Sequence, residues 1–241
     1  MIDSGKIKAE EAVIGYVGAF PYAEVVSGYT SFFLGARSIC PSATMKVRYT
    51  TSWYNETAEK VAAETLINVD KCVLISQHAD SMGAPNACEV KGVPNVSYNG
   101  STVASCPDTF IISSAIDWSP YFYHMIDCKV NNKTLEKNWC GDIATGSVVL
   151  SAINGQAAAP GTVKKIQEVA AKLKDGTLHV FDTNTFTVKG EKVTTYLADV
   201  VDKGDYQGET EVIKDGYFSE SSFRSAPYFD LRIDGITELN K

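Results

Sequence analysis

Short apolar strands alternate with amphipathic helices through the first hundred residues, and this alternation constrains the fold more than any other feature. Residues 13–18 form an apolar run that ends in glycine, and the pattern that follows predicts the order β-α-β-α-β-α-β over residues 13–98. Connections of this kind place successive strands parallel in one sheet, with the helices on its faces. The sequence therefore predicts an α/β fold built on parallel sheets flanked by helices.

The periodicity of apolar residues sets the bounds of the predicted elements. After the first strand, we predict helices over residues 22–37, 56–68 and 82–91, and strands over residues 45–50, 72–75 and 93–98. Later in the chain, we predict strands over residues 110–112, 147–150 and 178–181, a helix that begins at residue 119, and a helix over residues 162–174.

The charge balance and the distribution of apolar residues exclude two broad classes of protein. The 22 basic and 29 acidic residues give a net charge of −7, so the chain lacks the basic surface that is typical of nucleic-acid binders. The sequence contains no run of about 18 uncharged apolar residues, so it predicts no transmembrane helix. The first eleven residues carry no secretion signal and no lipidation cysteine. Taken literally, this start predicts a cytosolic chain, unless the true beginning is missing.

The cysteines and histidines are widely spaced, the cysteines at positions 40, 72, 88, 106, 128 and 140 and the histidines at positions 78, 124 and 179. They form no C-x-x-C pair and no zinc-ligand spacing, so we expect no metal site and no cofactor. Unpaired thiols in element interiors behave as small buried hydrophobes. We favour free, inert thiols over a disulfide framework, which the even number of cysteines leaves open.

The carboxyl ends of the first four predicted strands are all followed by polar or aromatic side chains, in segments 18–21, 51–55, 77–81 and 98–100. Since the carboxyl ends of parallel strands lie at one edge of a sheet, where such folds bind ligands, we expect these segments to meet. A flat ring gains from stacking on an aromatic side chain. Neighbouring carboxylate or amide groups fix its hydrogen-bonding edge. The sequence therefore predicts a site for a flat, polar ligand.

Three aromatic residues are candidates for stacking on that ligand: Trp53 and Trp118, and then Phe20. The alternative for each of them is a half-buried position in the core. We expect the two indoles to hold one flat ring between them.

Two polar residues that follow the third strand are further candidates. Asp80 could accept a hydrogen bond from a ring N–H or a hydroxyl, and its alternative or additional role is to cap the helix predicted at residue 82. His78 has an acid–base interpretation, but a lone histidine is more often a structural hydrogen-bonding group. We favour the structural role for His78.

Enzyme signatures in the sequence are thin. It contains no G-x-S-x-G, no G-x-x-x-x-G-K-[ST] and no H-E-x-x-H. No nucleophile or second carboxylate stands in a fixed motif beside His78 and Asp80. We therefore expect a binding protein rather than an enzyme.

Several of these segments together resemble the basic membrane protein family of bacterial ABC-transporter receptors, which includes the purine nucleoside receptors. The matching segments include IGYVGAFP at 14–21, SWYN at 52–55, QHADS at 77–81 and WSPY at 118–121. The resemblance runs from about residue 13 to residue 181 and continues more diffusely to the end. The order and spacing of the segments carry it, more than any one of them.

The resemblance implies a type I periplasmic-binding-protein fold, with two α/β lobes and a ligand held in the cleft between them. It also implies recognition of a purine nucleobase or nucleoside by aromatic stacking and polar contacts. The ligand would be delivered unaltered to an ABC transporter permease. In its full-length form such a protein is extracytoplasmic, at the cell surface or in the periplasm, as a lipoprotein.

The chain departs from the family pattern at its start, because the signal, the lipidated cysteine and the first part of lobe one have no counterpart upstream of residue 13. We therefore expect a fragment, an internal start or a split gene, with the first lobe incomplete. The expected division is a leader over residues 1–12, lobe two over residues 13–99, a crossover and the rest of lobe one over residues 100–145, and shared later segments with a tail over residues 146–241. A partner chain or a missing N-terminal segment would complete lobe one.

The chain also departs from the family's nucleoside receptors at the site. Those receptors often carry an acidic residue that holds the ribose where this chain has Tyr98 and Asn99, and often a lysine near the position of Asp117. The resemblance therefore implies a free purine base, or a related heterocycle, in preference to the nucleoside. Tyr98, Asn99 and Asp117 complete the expected contacts.

Two other functions remain open at this point. A cytosolic ligand-sensing regulator on the same fold agrees with the absent signal, and the family has regulatory relatives. A nucleoside-processing enzyme is the third alternative.

Overall fold

The computed structural model describes residues 1–201 and 203–240, and strands alternate with helices through its first half. That half contains β1 (Val13–Gly18), α1 (Ala23–Arg37), β2 (Thr44–Tyr49), α2 (Glu56–Asn68), β3 (Leu74–Gln77), α3 (Gly83–Lys91) and β4 (Asn95–Tyr98). The second half contains β5 (Phe110–Ile116), α4 (Ser119–Val130), β6 (Val148–Leu150), α5 (Thr162–Lys174), β7 (Leu197–Ala198), β8 (Thr210–Glu211), β9 (Ile213–Lys214), β10 (Tyr217–Phe218) and β11 (Ile236–Glu238).

Seven of the strands form one mixed sheet in the order β11-β2-β1-β3-β4-β5-β6. Every neighbouring pair in it is parallel except β5 and β6, which are antiparallel. The predicted α/β class with a parallel sheet flanked by helices is therefore confirmed.

The helices lie on both faces of the sheet, and the change of face accompanies a reversal in the strand order. Tyr29 and Phe33 of α1 belong to the core on one face. Ala63 and Leu66 of α2, with Ala87 of α3, belong to the core on the other face. Right-handed crossovers change face when the chain reverses direction across a sheet. The reversal falls between β1 and β3, and the carboxyl ends of those strands border the crevice in which such folds bind ligands.

Local sequence explains where these helices begin and end. The side chain of Asn55 accepts a hydrogen bond from the amide of Ala58 over 3.0 Å and so caps α2. Gly92, at φ +65°, ends α3 in the left-handed conformation that glycine adopts freely. Strand β3 begins two residues later than predicted because Lys71 and Cys72 still close the turn after α2, with the amide of Cys72 bonded to the carbonyl of Leu66.

The part of the chain that follows α5, which we call the C-terminal segment, contributes apolar side chains to the core on the same face as α1. The rings of Phe181 and Phe229 stack with their centroids 4.2 Å apart, and Phe218 meets Phe229 edge-on at 4.7 Å. The strand predicted over residues 178–181 is wrong, because only its last residue, Phe181, bonds to residues 216–218, and the pairing continues through an isolated bridge of Asp182 with Tyr217 rather than a ladder. The aromatic character of Phe181 that indicated a strand serves burial in this core instead.

The last strand of the chain, β11, extends the sheet beside β2. Its Glu238 accepts hydrogen bonds from the hydroxyls of Tyr49, over 2.6 Å, and Tyr29, over 3.2 Å, and pairs with Arg232. Arg232 in turn donates to the carbonyl of Pro21, over 3.2 Å, in the loop after β1. The C-terminal segment therefore supports a loop at the carboxyl edge of the sheet.

All six cysteines are free, as expected. Cys72, Cys88, Cys106 and Cys128 are buried, Cys40 is half-buried, and Cys140 is exposed, so the inert-hydrophobe interpretation does not extend to Cys140. Burial raises the pKa values of the Cys72 and Cys88 thiols to about 12, which keeps both thiols protonated.

The sheet continues across the expected boundary between lobes at residue 99, since β5 pairs parallel with β4. The division into lobes stays a prediction. Helix α4 buries only Cys128 and leaves several apolar side chains exposed, among them Phe122, Tyr123, Ile126 and Val130. Among the described residues, no helix is both long and apolar enough to cross a bilayer.

Candidate ligand-binding site

Five rings gather at the carboxyl ends of β1, β2, β3 and β4, and we call them the first ring group: Phe20, Tyr22, Trp53, His78 and Tyr98. Each strand end contributes at least one ring. The rings meet because the strands are parallel and finish at the same edge. Phe20 follows β1 and His78 follows β3, so the group stands over the switch point of the sheet.

The rings of this group form a continuous chain of contacts. Phe20 stacks on Tyr22 with centroids 5.1 Å apart and an angle of 11° between the planes, and Trp53 meets Phe20 at 5.5 Å. Trp53 also meets the ring of His78 edge-on at 6.2 Å, and His78 lies 4.3 Å from Tyr98. Trp53 is 36% exposed and Tyr22 is 57% exposed, so part of this aromatic surface faces solvent. Such a surface can stack on a flat ligand.

Two loops of the site are tied together through the backbone. The amide of Asp80 donates to the carbonyl oxygen of Trp53 over 3.0 Å. Beneath them, the carboxylate of Glu59 accepts from the amide of Asn55 over 2.9 Å and from the amide of Ser81 over 3.1 Å. Glu59 is fully buried, so these bonds replace the water that a carboxylate requires. Glu59 therefore fixes the loop after β2 to the loop after β3.

His78 lies under the ring group rather than on its surface. The phenol of Tyr16 lies 3.4 Å from Nδ1 of His78, and Glu24 approaches Nε2 to 3.5 Å. Gly28 gives the imidazole its space, because a Cβ there would lie 2.8 Å from Nδ1. Burial lowers the pKa of His78, an effect that the Glu24 and Asp80 carboxylates partly offset. A buried, neutral ring in these contacts supports the structural role that we favoured.

Asp80 is exposed at the edge of the first ring group. The expectation that it caps the third helix is wrong: α3 begins at Gly83, and the hydroxyl of Ser81 accepts from the Gly83 amide over 3.1 Å. Partial burial raises the pKa of Asp80, as do Glu59 and Glu24, while His78 opposes them. Asp80 and Glu24 together make the local surface rich in hydrogen-bond acceptors.

Tyr98 and Asn99 close the site on the β4 side. Tyr98 is half-buried against His78. Asn99 is exposed, adopts the left-handed φ of 62°, and donates its amide to the carbonyl of Ser114 over 2.9 Å. Asparagine tolerates this conformation, so the residue ends the strand and presents its side chain to solvent.

Trp118 lies in a second aromatic cluster, which we call the second ring group. Its rings are Trp118, Tyr121, Phe122 and Trp139, with His124 beside them. Asp117 directly precedes Trp118 in the chain. Trp118 is 57% exposed. Asp117 accepts from the amide of Ser119 over 2.8 Å, and this bond lowers its pKa. Both residues line a hollow of about 350 Å³ that Tyr121, Trp139 and Ser147 also line.

The two predicted indoles therefore belong to separate ring groups. Trp53 follows β2 and Trp118 follows β5, and three strands lie between them in the sheet. At the usual spacing of strands, their ends are roughly 19 Å apart. Among the described residues, no aromatic contact joins the two groups. One flat ring held between both indoles does not follow from this arrangement.

Sequence reasoning missed two residues of the site. Tyr22 stacks on Phe20 and is the more exposed of the two rings, and its place directly after Phe20 and Pro21 was a signal that could have found it. Glu59 was hidden because an acidic residue in the first turn of a helix ordinarily faces solvent. Its spacing of four residues from the cap Asn55 is the only trace in the sequence.

Comparison with known proteins assigns the chain to a family. Residues 7–174 match the Bmp family, described as ABC transporter substrate-binding protein, PnrA-like. The chain belongs to this family. The match spans most of the chain and confirms the resemblance seen in the sequence. The Bmp family is one of substrate-binding proteins.

Two curated relatives carry names that describe ligand binding. The chain is 29% identical over 213 residues to a purine-binding protein of Brucella abortus, a match that covers 81% of this chain and 59% of that protein. It is 37% identical over 113 residues to a Haloferax volcanii protein whose name describes an ABC transporter glucose-binding protein, covering 47% of this chain and 29% of that one. The chain thus spans about three fifths or less of these relatives.

Solved structures show the same fold at low identity. A solute-binding protein of an ABC transporter from Conexibacter woesei superposes with a TM-score of 0.58 and 19% identity, covering 70% of this chain and 56% of that one. A transcriptional activator of the comK gene from Bacillus halodurans gives 0.58 and 16%, covering 73% and 60%. The fold is therefore of the periplasmic-binding-protein type.

Proposed function

We propose that this Bmp-family chain is the ligand-binding part of the solute-binding component of an ABC importer, and that it binds a purine base against the first ring group. The observation that carries the proposal is the chain of ring contacts from Tyr22 to Tyr98 over the switch point of the sheet. Its exposed rings offer a stacking surface, and open α/β sheets generally bind ligands at this edge. The purine-binding name of the Brucella abortus relative supports the same ligand class.

The chemistry of the edge favours a ligand with hydrogen-bond donors. Asp80 and Glu24 are exposed carboxylates beside the rings, and ionised carboxylates only accept hydrogen bonds. A purine offers ring N–H and exocyclic amino groups that match them. We propose that Trp53 and Tyr22 stack on the ring while Asp80 accepts from its donor edge. Asn99, which carries both a donor and an acceptor, faces the remaining side.

The site also bears on the choice between base and nucleoside. By the family resemblance, Tyr98 and Asn99 follow the strand after which nucleoside receptors often carry an acidic residue that holds the ribose. Asp117, near the expected position of their lysine, directly precedes Trp118 of the second ring group and accepts a hydrogen bond from the amide of Ser119. We therefore propose a free base in preference to a nucleoside. We place Trp118 and Asp117 outside the principal contact with the base.

The partners follow from the family. We propose that an ABC permease receives the ligand outside the cytoplasm, and that the full-length protein is a lipoprotein. A second lobe, on the same chain or on a partner chain, would close over the site. The exposed apolar side chains of α4, including Tyr123 and Val130, support such a covering surface.

Isothermal titration of the chain with adenine, guanine, hypoxanthine and their nucleosides tests the proposal. We expect saturable binding of at least one base that is tighter than binding of its nucleoside, and recovery of the ligand unchanged by chromatography. Glucose is the matched control ligand, since the Haloferax volcanii relative carries that name. Binding of glucose without binding of any purine would overturn the proposed ligand class. Release of base from a nucleoside would overturn the proposal that the protein only binds.

A further inference from the structure

Three side chains with metal-binding donor atoms converge between α4 and the segment that follows it. His124 and Cys128 stand one turn apart on the helix, and Glu136 reaches back from the loop. One donor atom from each residue lies within 4.8 Å of the others. The chain spacing did not predict this group, because Glu136 comes from an irregular segment whose path the sequence does not show.

The distances within the group suit a small divalent ion. Sγ of Cys128 lies 3.7 Å from Nε2 of His124. In a tetrahedral zinc site, with Zn–S near 2.3 Å and Zn–N near 2.0–2.1 Å, these two atoms stand roughly 3.6 Å apart. Nε2 of His124 and Oε2 of Glu136 lie 2.8 Å apart, as a hydrogen-bonded pair. They need to open by roughly half an ångström to admit an ion, and the exposed side chain of Glu136 can make that shift.

The donor set selects the class of ion. A thiolate, an imidazole and a carboxylate together suit Zn²⁺ and related borderline ions rather than Mg²⁺ or Ca²⁺, which take oxygen ligands. Cys128 is buried at 4% exposure, whereas His124 and Glu136 are partly open to solvent. Water can therefore fill a fourth position. The ring of Trp139 stacks near His124, at 6.3 Å and 22°, and supports its orientation.

We propose that His124, Cys128 and Glu136 bind one Zn²⁺-class ion, which fastens the segment after α4 to the helix. Among the described contacts, that segment also attaches to α4 through the amide of Lys133, which donates to the carbonyl of Cys128, through the ion pair of Lys133 with Asp127, and through the ring of Trp139, 5.3 Å from that of Tyr121. It carries Trp139, which lines the hollow beside Trp118. An ion here stabilises the second ring group and is independent of purine binding at the first.

The alternative is a metal-free hydrogen bond between His124 and Glu136 beside an inert buried thiol. Calorimetric titration of the reduced, EDTA-treated chain with ZnCl₂ separates the two. We expect one equivalent to bind, and affinity to fall by at least about tenfold in His124→Ala and in Cys128→Ser, since even the loss of a supporting group costs that much. Cys40→Ser and His179→Ala are the matched controls, and we expect both to bind as the parent chain does.

Cobalt provides a second readout that reports on the thiolate directly. With Co²⁺ in place of Zn²⁺, we expect a near-ultraviolet thiolate-to-cobalt charge-transfer band that Cys128→Ser abolishes and Cys40→Ser retains. Circular dichroism shows whether Cys128→Ser folds. If that variant does not fold, His124→Ala still tests the site, because His124 is partly exposed. Absence of Zn²⁺ binding to the parent chain would overturn the site. Equal binding by His124→Ala, or an unchanged cobalt band in a folded Cys128→Ser, would overturn it as well.

Discussion

The amide of Asp80 donates a hydrogen bond to the carbonyl oxygen of Trp53 over 3.0 Å, and this bond joins the loops that follow β3 and β2. The residue with the exposed indole and the residue with the exposed carboxylate are thus held next to each other by their own backbones. The proposed stacking surface and the proposed acceptor therefore form one hydrogen-bonded unit.

The buried carboxylate of Glu59 should govern the stability of that unit. Replacing it with alanine removes the acceptor for the amides of Asn55 and Ser81 and leaves two donors unsatisfied. We expect Glu59→Ala to lower the free energy of unfolding by about 2–4 kcal/mol, measured by urea denaturation. Glu64→Ala, on the same helix and without a hydrogen bond among the described contacts, is the control and should cost less than about 1 kcal/mol. Similar losses for the two variants would contradict the tie.

The approach of α3 to α2 depends on a glycine. A Cβ at Gly83 would lie 2.3 Å from the carbonyl oxygen of Glu56, which is backbone and cannot move aside cheaply. We expect Gly83→Ala to lower the midpoint of thermal unfolding and to destabilise the fold by about 1–3 kcal/mol. Gly35→Ala is the matched control, because nothing lies within 4 Å of its Cβ in the interior of α1. It should be neutral or stabilising by up to about 1 kcal/mol.

The stability of the fold should depend on pH through Glu220. Its Oε1 atom is buried without a hydrogen-bond partner among the described contacts, and burial raises the pKa of this carboxyl to about 7. In the unfolded chain the pKa is about 4.3. Between these values the folded state holds a proton that the unfolded state has released, so the free energy of unfolding falls as the pH rises.

Replacing the carboxyl removes that dependence. We measure the free energy of unfolding of both proteins by urea denaturation at each pH. We expect the difference, Glu220→Gln minus the parent chain, to rise by roughly 2–3 kcal/mol between pH 4.5 and pH 8. Other titrating groups cancel in the comparison. A difference between the two proteins that stays constant over this range would mean that Glu220 titrates normally in the folded state.

The two ring groups make different predictions for ligand affinity. Trp53→Ala should weaken purine binding by about 1–3 kcal/mol, the amount lost when an aromatic side chain no longer stacks on a base. Trp118→Ala should change affinity less than about twofold, because Trp118 belongs to the second ring group. Tyr54→Ala, 67% exposed beside Trp53, controls for changes in the loop. A larger loss from Trp118→Ala than from Trp53→Ala would move the site to the hollow near α4.

Much of the fold could be predicted from the sequence because local signals agreed with it. The helix over residues 56–68 follows from its cap at Asn55, and the parallel order of the strands follows from their alternation with helices. The site was partly predictable, since parallel strands must end at one edge and so bring Phe20, Trp53, His78 and Tyr98 together. Positions along the edge were not predictable. The order β2-β1-β3-β4-β5 separates Trp53 from Trp118, and strand order depends on crossover direction rather than on local sequence.

Polar residues were harder to place than rings. Asp80 looked like a helix cap because it stands two residues before the predicted helix, but the chain uses Ser81 for that bond. Glu59 stands in the first turn of a helix, where acidic residues ordinarily face solvent, and it is buried. In both cases the outcome depends on which backbone amides the tertiary fold leaves unsatisfied, which no local pattern records.

The indole N–H signals of the three tryptophans test directly whether a purine base lies against the first ring group. Trp53→Phe, Trp118→Phe and Trp139→Phe assign the three cross-peaks in a ¹H–¹⁵N spectrum, and the parent chain is then titrated with adenine, guanine and hypoxanthine. If a base stacks on the first ring group, the Trp53 signal shifts in a saturable way while the Trp118 and Trp139 signals stay within experimental error. Saturable shifts of Trp118 or Trp139 with a stationary Trp53, or no shift of Trp53 at millimolar base, would contradict it.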